Sequence, residues 1–266
     1  VILQDVQATP DSRGVPLDEV GVEGLRYPVL VADGQGAKRE TVGTAAMSVS
    51  LGPEVKGAHL SRFIEVLHEA REQLSLSSIA TLAEDLRQRM SGPTARVSLD
   101  FPYFLERSAP VTGARGFVDY ACSLAAVSAP EESRVTMAVT VPVTSVCPCS
   151  KAISDRGAHN QRGHITIVVE PTEPQGGLWF DDLIDIAEQA ASSPVYAVLK
   201  RPDERHVTMA AYDHPVFVED MVRNVAQVLR TLDTIAAYRI RAFNDESIHN
   251  HAAYATVSWT RRAGEA

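Results

Sequence analysis

Val135-Thr-Met-Ala-Val-Thr-Val-Pro-Val-Thr144 alternates along its length. Val135, Met137, Val139, Val141 and Val143 fall on one face, and Thr136, Ala138, Thr140 and Thr144 on the other. That period of two marks a strand with one buried side. A polar linker, Pro130-Glu-Glu-Ser133, precedes it. Beyond it, residues 147–163 break the alternation and read as a loop, and Ile165, Ile167 and Val169 resume it. A helix is expected near Phe180–Ser192. A longer one should begin at Pro215, a residue suited to the first helical position. Its apolar stripe is Val218, Met221, Val222, Val225, Leu229 and Leu232. Tyr238–Phe243 and Ala253–Trp259 read as closing strands. The second half therefore reads β-β-α-α-β-β.

The same order emerges upstream. Arg26–Val31 and Thr44–Leu51 are β-rich. From His59 onward, Leu60, Phe63, Ile64, Leu67 and Ala70 follow helical spacing. A second helix runs near Ser78–Met90, with Ile79, Leu82, Leu86 and Met90 on one side, and Gly92-Pro93 ends it. Strands near Arg96–Leu105 and Gly116–Ser128 complete the half. The pattern predicts an α+β chain of two tandem units, 1–129 and 130–266, each an antiparallel β-sheet with two helices.

Composition narrows the function classes. With 266 residues, 45% hydrophobic and 22% charged, the chain is an ordinary globular protein, not a disordered or disulfide-scaffold one. Its net charge of −9 disfavours a general nucleic-acid binder, so no nucleic-acid partner is expected. The three cysteines, Cys122, Cys147 and Cys149, are too few for a secreted disulfide framework. The longest uncharged run, Val135–Ser150, is too short and polar to span a membrane, and the opening Val1-Ile-Leu-Gln-Asp5 lacks a secretion-signal pattern. A cytoplasmic protein with no membrane partner is the expectation.

Four polar clusters could carry chemistry. Thr144-Ser-Val-Cys-Pro-Cys-Ser-Lys151, with His159-Asn-Gln-Arg-Gly-His164, places two cysteines and two histidines where a strand ends. Thiolate and imidazole bind zinc and similar metals well. A lone cysteine is more often a buried structural thiol, and Cys147 and Cys149 stand closer than the usual zinc pair. The base-deaminase pattern, which needs a second cysteine three positions after Cys149, finds Ala152 there. Lys200-Arg-Pro-Asp-Glu-Arg-His206 reads either as a solvated charged loop or as a carboxylate ligand, Glu204 or Asp203, beside phosphate-binding cations. In Glu246-Ser-Ile-His-Asn-His251, His249 and His251 would share a face if they lay on a strand. Glu219, early in the long helix, either complements the helix dipole or accepts two hydrogen bonds from a guanine-like edge.

These segments, together with Lys56-Gly-Ala-His-Leu-Ser-Arg62, Arg201-Pro-Asp-Glu204, Val218-Glu-Asp220 and the opening Asp5-Val-Gln-Ala-Thr-Pro-Asp-Ser-Arg13, resemble the type IB GTP cyclohydrolases over nearly the whole chain. The resemblance implies the tunnelling fold and a homotetramer with sites at subunit interfaces. It implies conversion of GTP and water to 7,8-dihydroneopterin triphosphate and formate, the entry to tetrahydrofolate. It also implies one divalent metal per site, zinc, manganese or iron, held by Cys147, His159, Glu204 and His249, with Glu219 anchoring the guanine. His59, Arg62, Lys151 and Arg162 are the candidates for the triphosphate by their place in the motifs. Cys149 and His251 are candidates for proton transfer, and Cys147 is placed at the reacting centre as a ligand.

Two other readings are compatible with the fold. A nitrile reductase of the same fold would use a cysteine nucleophile and NADPH, and its chemistry needs no metal. A non-catalytic purine-binding module would keep Glu219 and could lose the ligand set. The presence of all four ligand residues favours the cyclohydrolase.

Overall fold

The computed structural model describes residues 6–7, 9–34, 36–175 and 177–262. Asp5 and Ala8 of the opening motif, and the four residues before Asp5, lie outside the described residues. The elements are β1 (Leu17–Ala32), β2 (Lys38–Leu51), α1 (Leu60–Ala70), α2 (Leu76–Met90), β3 (Ala95–Ser108), β4 (Arg115–Ser128), β5 (Ser133–Val146), α3 (Pro148–Ile153), β6 (Asn160–Pro171), α4 (Phe180–Ala190), β7 (Ser193–Pro194), α5 (Arg201–Asp213), α6 (Val218–Arg230), β8 (Ile235–Asp245) and β9 (Ala252–Thr260). Among the described residues, nine strands form an antiparallel sheet in the order β1-β2-β3-β4-β5-β6-β8-β9, with β7 beside β5. The α+β class therefore holds.

The chain divides into two compact units. One comprises the described residues up to 101 with 123–137, and the other 102–122 with 138 onward. In the first, Met47 pairs with Val22 on one side and Val97 on the other, so β2 lies between β1 and β3. Helices α1 and α2 bury Phe63, Val66 and Leu67, and Ile79, Leu82, Ala83 and Leu86. Full burial of each of these side chains other than Ala83 contributes roughly 1.5–3 kcal/mol. Ser75 caps α2 with a capping box, and Ser91 ends it in the left-handed conformation at φ 51°. Gly92 follows because a Cβ there would stand 3.0 Å from the Ser50 carbonyl oxygen.

In the second unit, β6 and β8 pair from Gly163↔Asn244 to Pro171↔Ile235. Ile165, Ile167, Val169, Ile240 and Ala242 are fully buried on their inner face. Leu183, Ile184 and Ala187 of α4 and Met221, Val225 and Leu229 of α6 join that core. The alternation in β5 is as the sequence predicts, with Val135, Met137, Val139, Val141 and Val143 all buried.

Three expectations for this half need correction. Residues 147–163 are not all loop: α3 occupies six of them and β6 begins at Asn160. Helix α6 starts at Val218 rather than Pro215, because the Val216 amide is committed to the Val146 carbonyl at 3.1 Å and keeps the chain extended. The charged cluster at 200–206 is the start of α5, not a loop. With α3, β7 and α5 interposed, the element order beyond residue 128 is richer than β-β-α-α-β-β. No helix among the described residues is long and apolar enough to cross a membrane.

Candidate active site

Strand β5 delivers the chain to the site, ending in the buried pair Ser145 and Val146. Cys147 then serves as N-cap of α3, and its Sγ accepts the Ser150 amide at 3.4 Å. Pro148 fits the next position because its missing N–H would have had no helical partner. The Cys147 N–H donates to the His159 carbonyl at 3.1 Å, and the His159 N–H donates to Ser150 Oγ at 3.2 Å. The excursion from 147 to 159 is thereby closed on itself, and a thiol and an imidazole sit at its two ends.

The imidazole is held on one side. His159 Nδ1 lies 2.9 Å from Gln161 Oε1 and 4.0 Å from Glu246 Oε2. The His159 and Glu246 side chains are only 15% and 13% exposed, so this contact is largely shielded from water. Gln161 continues to the buried Ser145 hydroxyl at 3.1 Å. Asn244 Nδ2 reaches the same hydroxyl, also at 3.1 Å.

Lys151 is already engaged. Its Nζ donates to the Tyr212 carbonyl and stands 4.2 Å from the centroid of the Tyr212 ring, which ties α3 to the last turn of α5. Cys149, the second residue of α3, is exposed, and so is Arg162 on β6. Cys122 is buried, and its thiol is pushed far up by desolvation, as befits a structural cysteine.

Helix α5 separates the two carboxylates of its first turn. Asp203 is fully buried and accepts from the Val111 and Thr112 amides, the Thr112 hydroxyl and the Lys200 amide. Burial alone would raise its pKa, but these donors, Thr112 first, hold it well below the ordinary carboxylate range. Asp203 is thus a structural anchor between α5 and the β3–β4 turn. Glu204, next to it, is exposed, with its side chain available to a ligand.

His249 and His251 occupy the turn between β8 and β9 rather than a strand. Their rings stack at 5.0 Å and 18°, and both residues are exposed. Glu219 is exposed in the first turn of α6. His59 and Arg62 belong to the other unit: His59 is the N-cap of α1, and Arg62 directs its guanidinium to the Arg89 carbonyl at 3.4 Å.

Among the described residues, no three histidine, cysteine, aspartate or glutamate side chains are grouped so as to hold a metal ion. The donor types at the Cys147–His159 corner do fit one. Thiolate and imidazole suit zinc and iron, and a carboxylate such as Glu204 also suits manganese. Ser145, Gln161, Asn244 and Glu246 were not singled out from the sequence. A signal existed: each of the first three lies two residues from a buried position of its own strand, Val143, Gly163 and Ala242.

The family model for the type I GTP cyclohydrolase FolE2 matches residues 3–255. This chain belongs to that family. A GTP cyclohydrolase FolE2 of Methylococcus capsulatus is 45% identical over 264 residues, covering 99% of this chain and 97% of the relative. One of Dechloromonas aromatica is 46% identical over 258 residues, covering 97% and 96%. Among solved structures, uricase from Arthrobacter globiformis aligns with a TM-score of 0.53 over 94% of this chain and 96% of its own, at 8% identity. Urate oxidase from Bacillus subtilis gives 0.53 over 91% and 98%, also at 8% identity. At that identity the likeness to the uricases is one of fold alone.

Proposed function

We propose that this member of the FolE2 family is a GTP cyclohydrolase that converts GTP and water to 7,8-dihydroneopterin triphosphate and formate, the first step of tetrahydrofolate biosynthesis. The observation that carries the reading is the family match along nearly the entire chain. The corner where Cys147 and His159 are joined through the main chain supports it. The likeness of fold to uricases supports a tunnelling fold, and in this reading its two tandem units span 1–129 and 130–266.

In this reading Cys147, His159, Glu204 and His249 hold one divalent metal, zinc, manganese or iron. When bound, such an ion makes water acidic enough to yield hydroxide near neutral pH, the nucleophile that carbon 8 of guanine requires. The chain's own residues do the rest. Glu219 uses both carboxylate oxygens to accept from the guanine edge and so fixes the base. Cys149 and His251 move protons as the two carbon–nitrogen bonds to carbon 8 break and formate leaves. Glu246, largely shielded beside His159, joins them as an acid–base group.

His59, Arg62, Lys151 and Arg162 neutralise the triphosphate, which a chain of net charge −9 can hold only through local cations. The exposure of Cys149, Glu204, Glu219, His249 and His251 on one chain supports a homotetramer whose sites are completed between subunits. The three free cysteines agree with a cytoplasmic setting.

The test is anaerobic incubation with GTP, with and without EDTA and added Mn²⁺, following formate and the fluorescence of oxidised neopterin. Both products should vanish with chelator and return with metal. Absence of formate with every divalent metal tried would overturn the reading.

A further inference from the structure

Ser145, fully buried at the end of β5, is a hub. Its hydroxyl donates to the Val216 carbonyl at 3.1 Å. A carbonyl can only accept and a hydroxyl has one proton, so every other group aimed at Ser145 Oγ must donate to it. Gln161 and Asn244 each do so through an amide nitrogen at 3.1 Å. With its nitrogen fixed on Ser145, Gln161 turns Oε1 towards His159 Nδ1 at 2.9 Å. That oxygen can only accept, so the neutral His159 ring carries its proton on Nδ1 and its lone pair on Nε2.

Asn244 Oδ1, the other end of the amide committed to Ser145, is buried with no hydrogen-bond partner among the described residues, a cost that donation to Ser145 carries. Glu246 Oε2, 4.0 Å from His159 Nδ1, is beyond hydrogen-bond reach and leaves Gln161 Oε1, at 2.9 Å, as the hydrogen-bond partner of that nitrogen.

We propose that Ser145, acting through Gln161, is a positioning residue that sets the tautomer of His159 so that Nε2 is presented to a divalent cation. The proposal rests on the reading of His159 as a metal ligand. It names the element that prepares the ligand before metal arrives: a hydroxyl on β5 that orients an amide on β6. A ring with its proton on Nε2 would have to relocate that proton before it could bind there. Partners that orient a metal-binding histidine are typically worth about 10–100-fold in affinity.

The experiment uses the metal-free oligomer and long-range ¹H–¹⁵N spectra of its imidazoles, followed by Mn²⁺ affinity measured against a competing chelator. Wild-type His159 should show the Nδ1–H tautomer alone. Ser145→Ala frees the Gln161 amide to turn, so it should give mixed tautomers and bind Mn²⁺ about 10–100-fold more weakly. Ser145→Thr, which restores a hydroxyl, should recover both. Gln161→Met removes both the acceptor facing His159 and one donor to the Ser145 hydroxyl while leaving Ser145 and its bond from Asn244 in place, and it serves if Ser145→Ala does not fold. A wild-type ring protonated on Nε2 overturns the proposal, and so do variants with mixed tautomers and undiminished Mn²⁺ affinity. His159→Ala, measured alongside, separates the two levels. Lost Mn²⁺ binding in His159→Ala with unchanged affinity in the other variants rejects the relay alone. Retained binding in His159→Ala rejects the reading of His159 as a ligand and the proposal with it.

Discussion

The amide of Cys147 donates to the carbonyl of His159 at 3.1 Å, so two side chains twelve positions apart are registered by their main chains. Either side chain can therefore be changed without losing the bond that brings them together. Cys147 also caps α3 through Sγ, a task for which serine is a preferred residue. Cys147→Ser should thus leave stability within about 0.5 kcal/mol of the parent. Its oxygen is a poor substitute for thiolate towards a metal, so metal content and turnover should collapse together, by more than the about 10–100-fold typical of losing a partner that merely orients a ligand. Metal analysis and formate release on the same preparation decide the point; a fully metallated, active variant removes Cys147 from the ligand set.

Glu219 is exposed in the first turn of α6, where its backbone contribution is modest. An acid there interacts with the helix dipole by roughly 0.3–1 kcal/mol. Glu219→Gln should therefore barely move the melting temperature. A glutamine would offer the guanine edge one acceptor and one unwanted donor. Losing a charge-assisted pair of hydrogen bonds should raise KM for GTP by about 10–100-fold. Metal content should stay unchanged, since the base and not the metal is what Glu219 is assigned to hold. Should metal be lost instead, Glu219 is a ligand and the base is anchored elsewhere.

Much of the fold was legible where a strand or helix has one buried face. β5 announces itself because Val135 to Val143 are buried at every second position. Helix α5 does not, since within it only Asp203 and Ala211 are buried and no apolar stripe forms. Its start was nonetheless written in Pro202, Asp203 and Glu204, residues that favour a first helical turn. Pro215 misled because a favourable first residue says nothing of a competing strand contact, here Val216 to Val146. For the site, the residue types in the motifs were readable, but their support was not. Ser145, Gln161 and Asn244 look like ordinary polar residues until the period of two is carried past the last apolar position of each strand. They are then polar groups forced inward, which must find one another.

Gly163 faces Asn244 across the β6–β8 ladder, and this close approach requires glycine. A Cβ there would stand 2.3 Å from Asn244 Oδ1 and 2.9 Å from the Phe243 carbonyl oxygen. Gly163→Ala should cost about 1–3 kcal/mol, as overpacking in a well-filled interior does. Pairing it with Asn244→Ala removes the nearer clash and should recover part of that loss, so urea unfolding of the four proteins in the cycle should show non-additivity. Strictly additive effects would mean that Asn244 is not what restricts position 163.

Asp203 gives the fold a defined response to acid. Both of its oxygens are saturated, Oδ1 by the amides of Val111 and Thr112 and Oδ2 by the Thr112 hydroxyl and the Lys200 amide. Burial opposes its charge, but the donors outweigh burial and depress its pKa in the folded state. A depressed acid stabilises the fold fully at pH values above its unfolded pKa, and that contribution is lost as pH falls towards the folded value. Asp203→Asn would turn an amide NH₂ against at least one of these donors. The variant should melt several degrees below the parent at pH 7. The gap should hold steady down to about pH 5 and narrow from about pH 4, where an unfolded aspartate takes up its proton. Thermal melts of both proteins across that range provide the check. Equal melting at pH 7, or a gap that does not shrink in acid, would show that the carboxylate's charge is not what pins α5 to the β3–β4 turn.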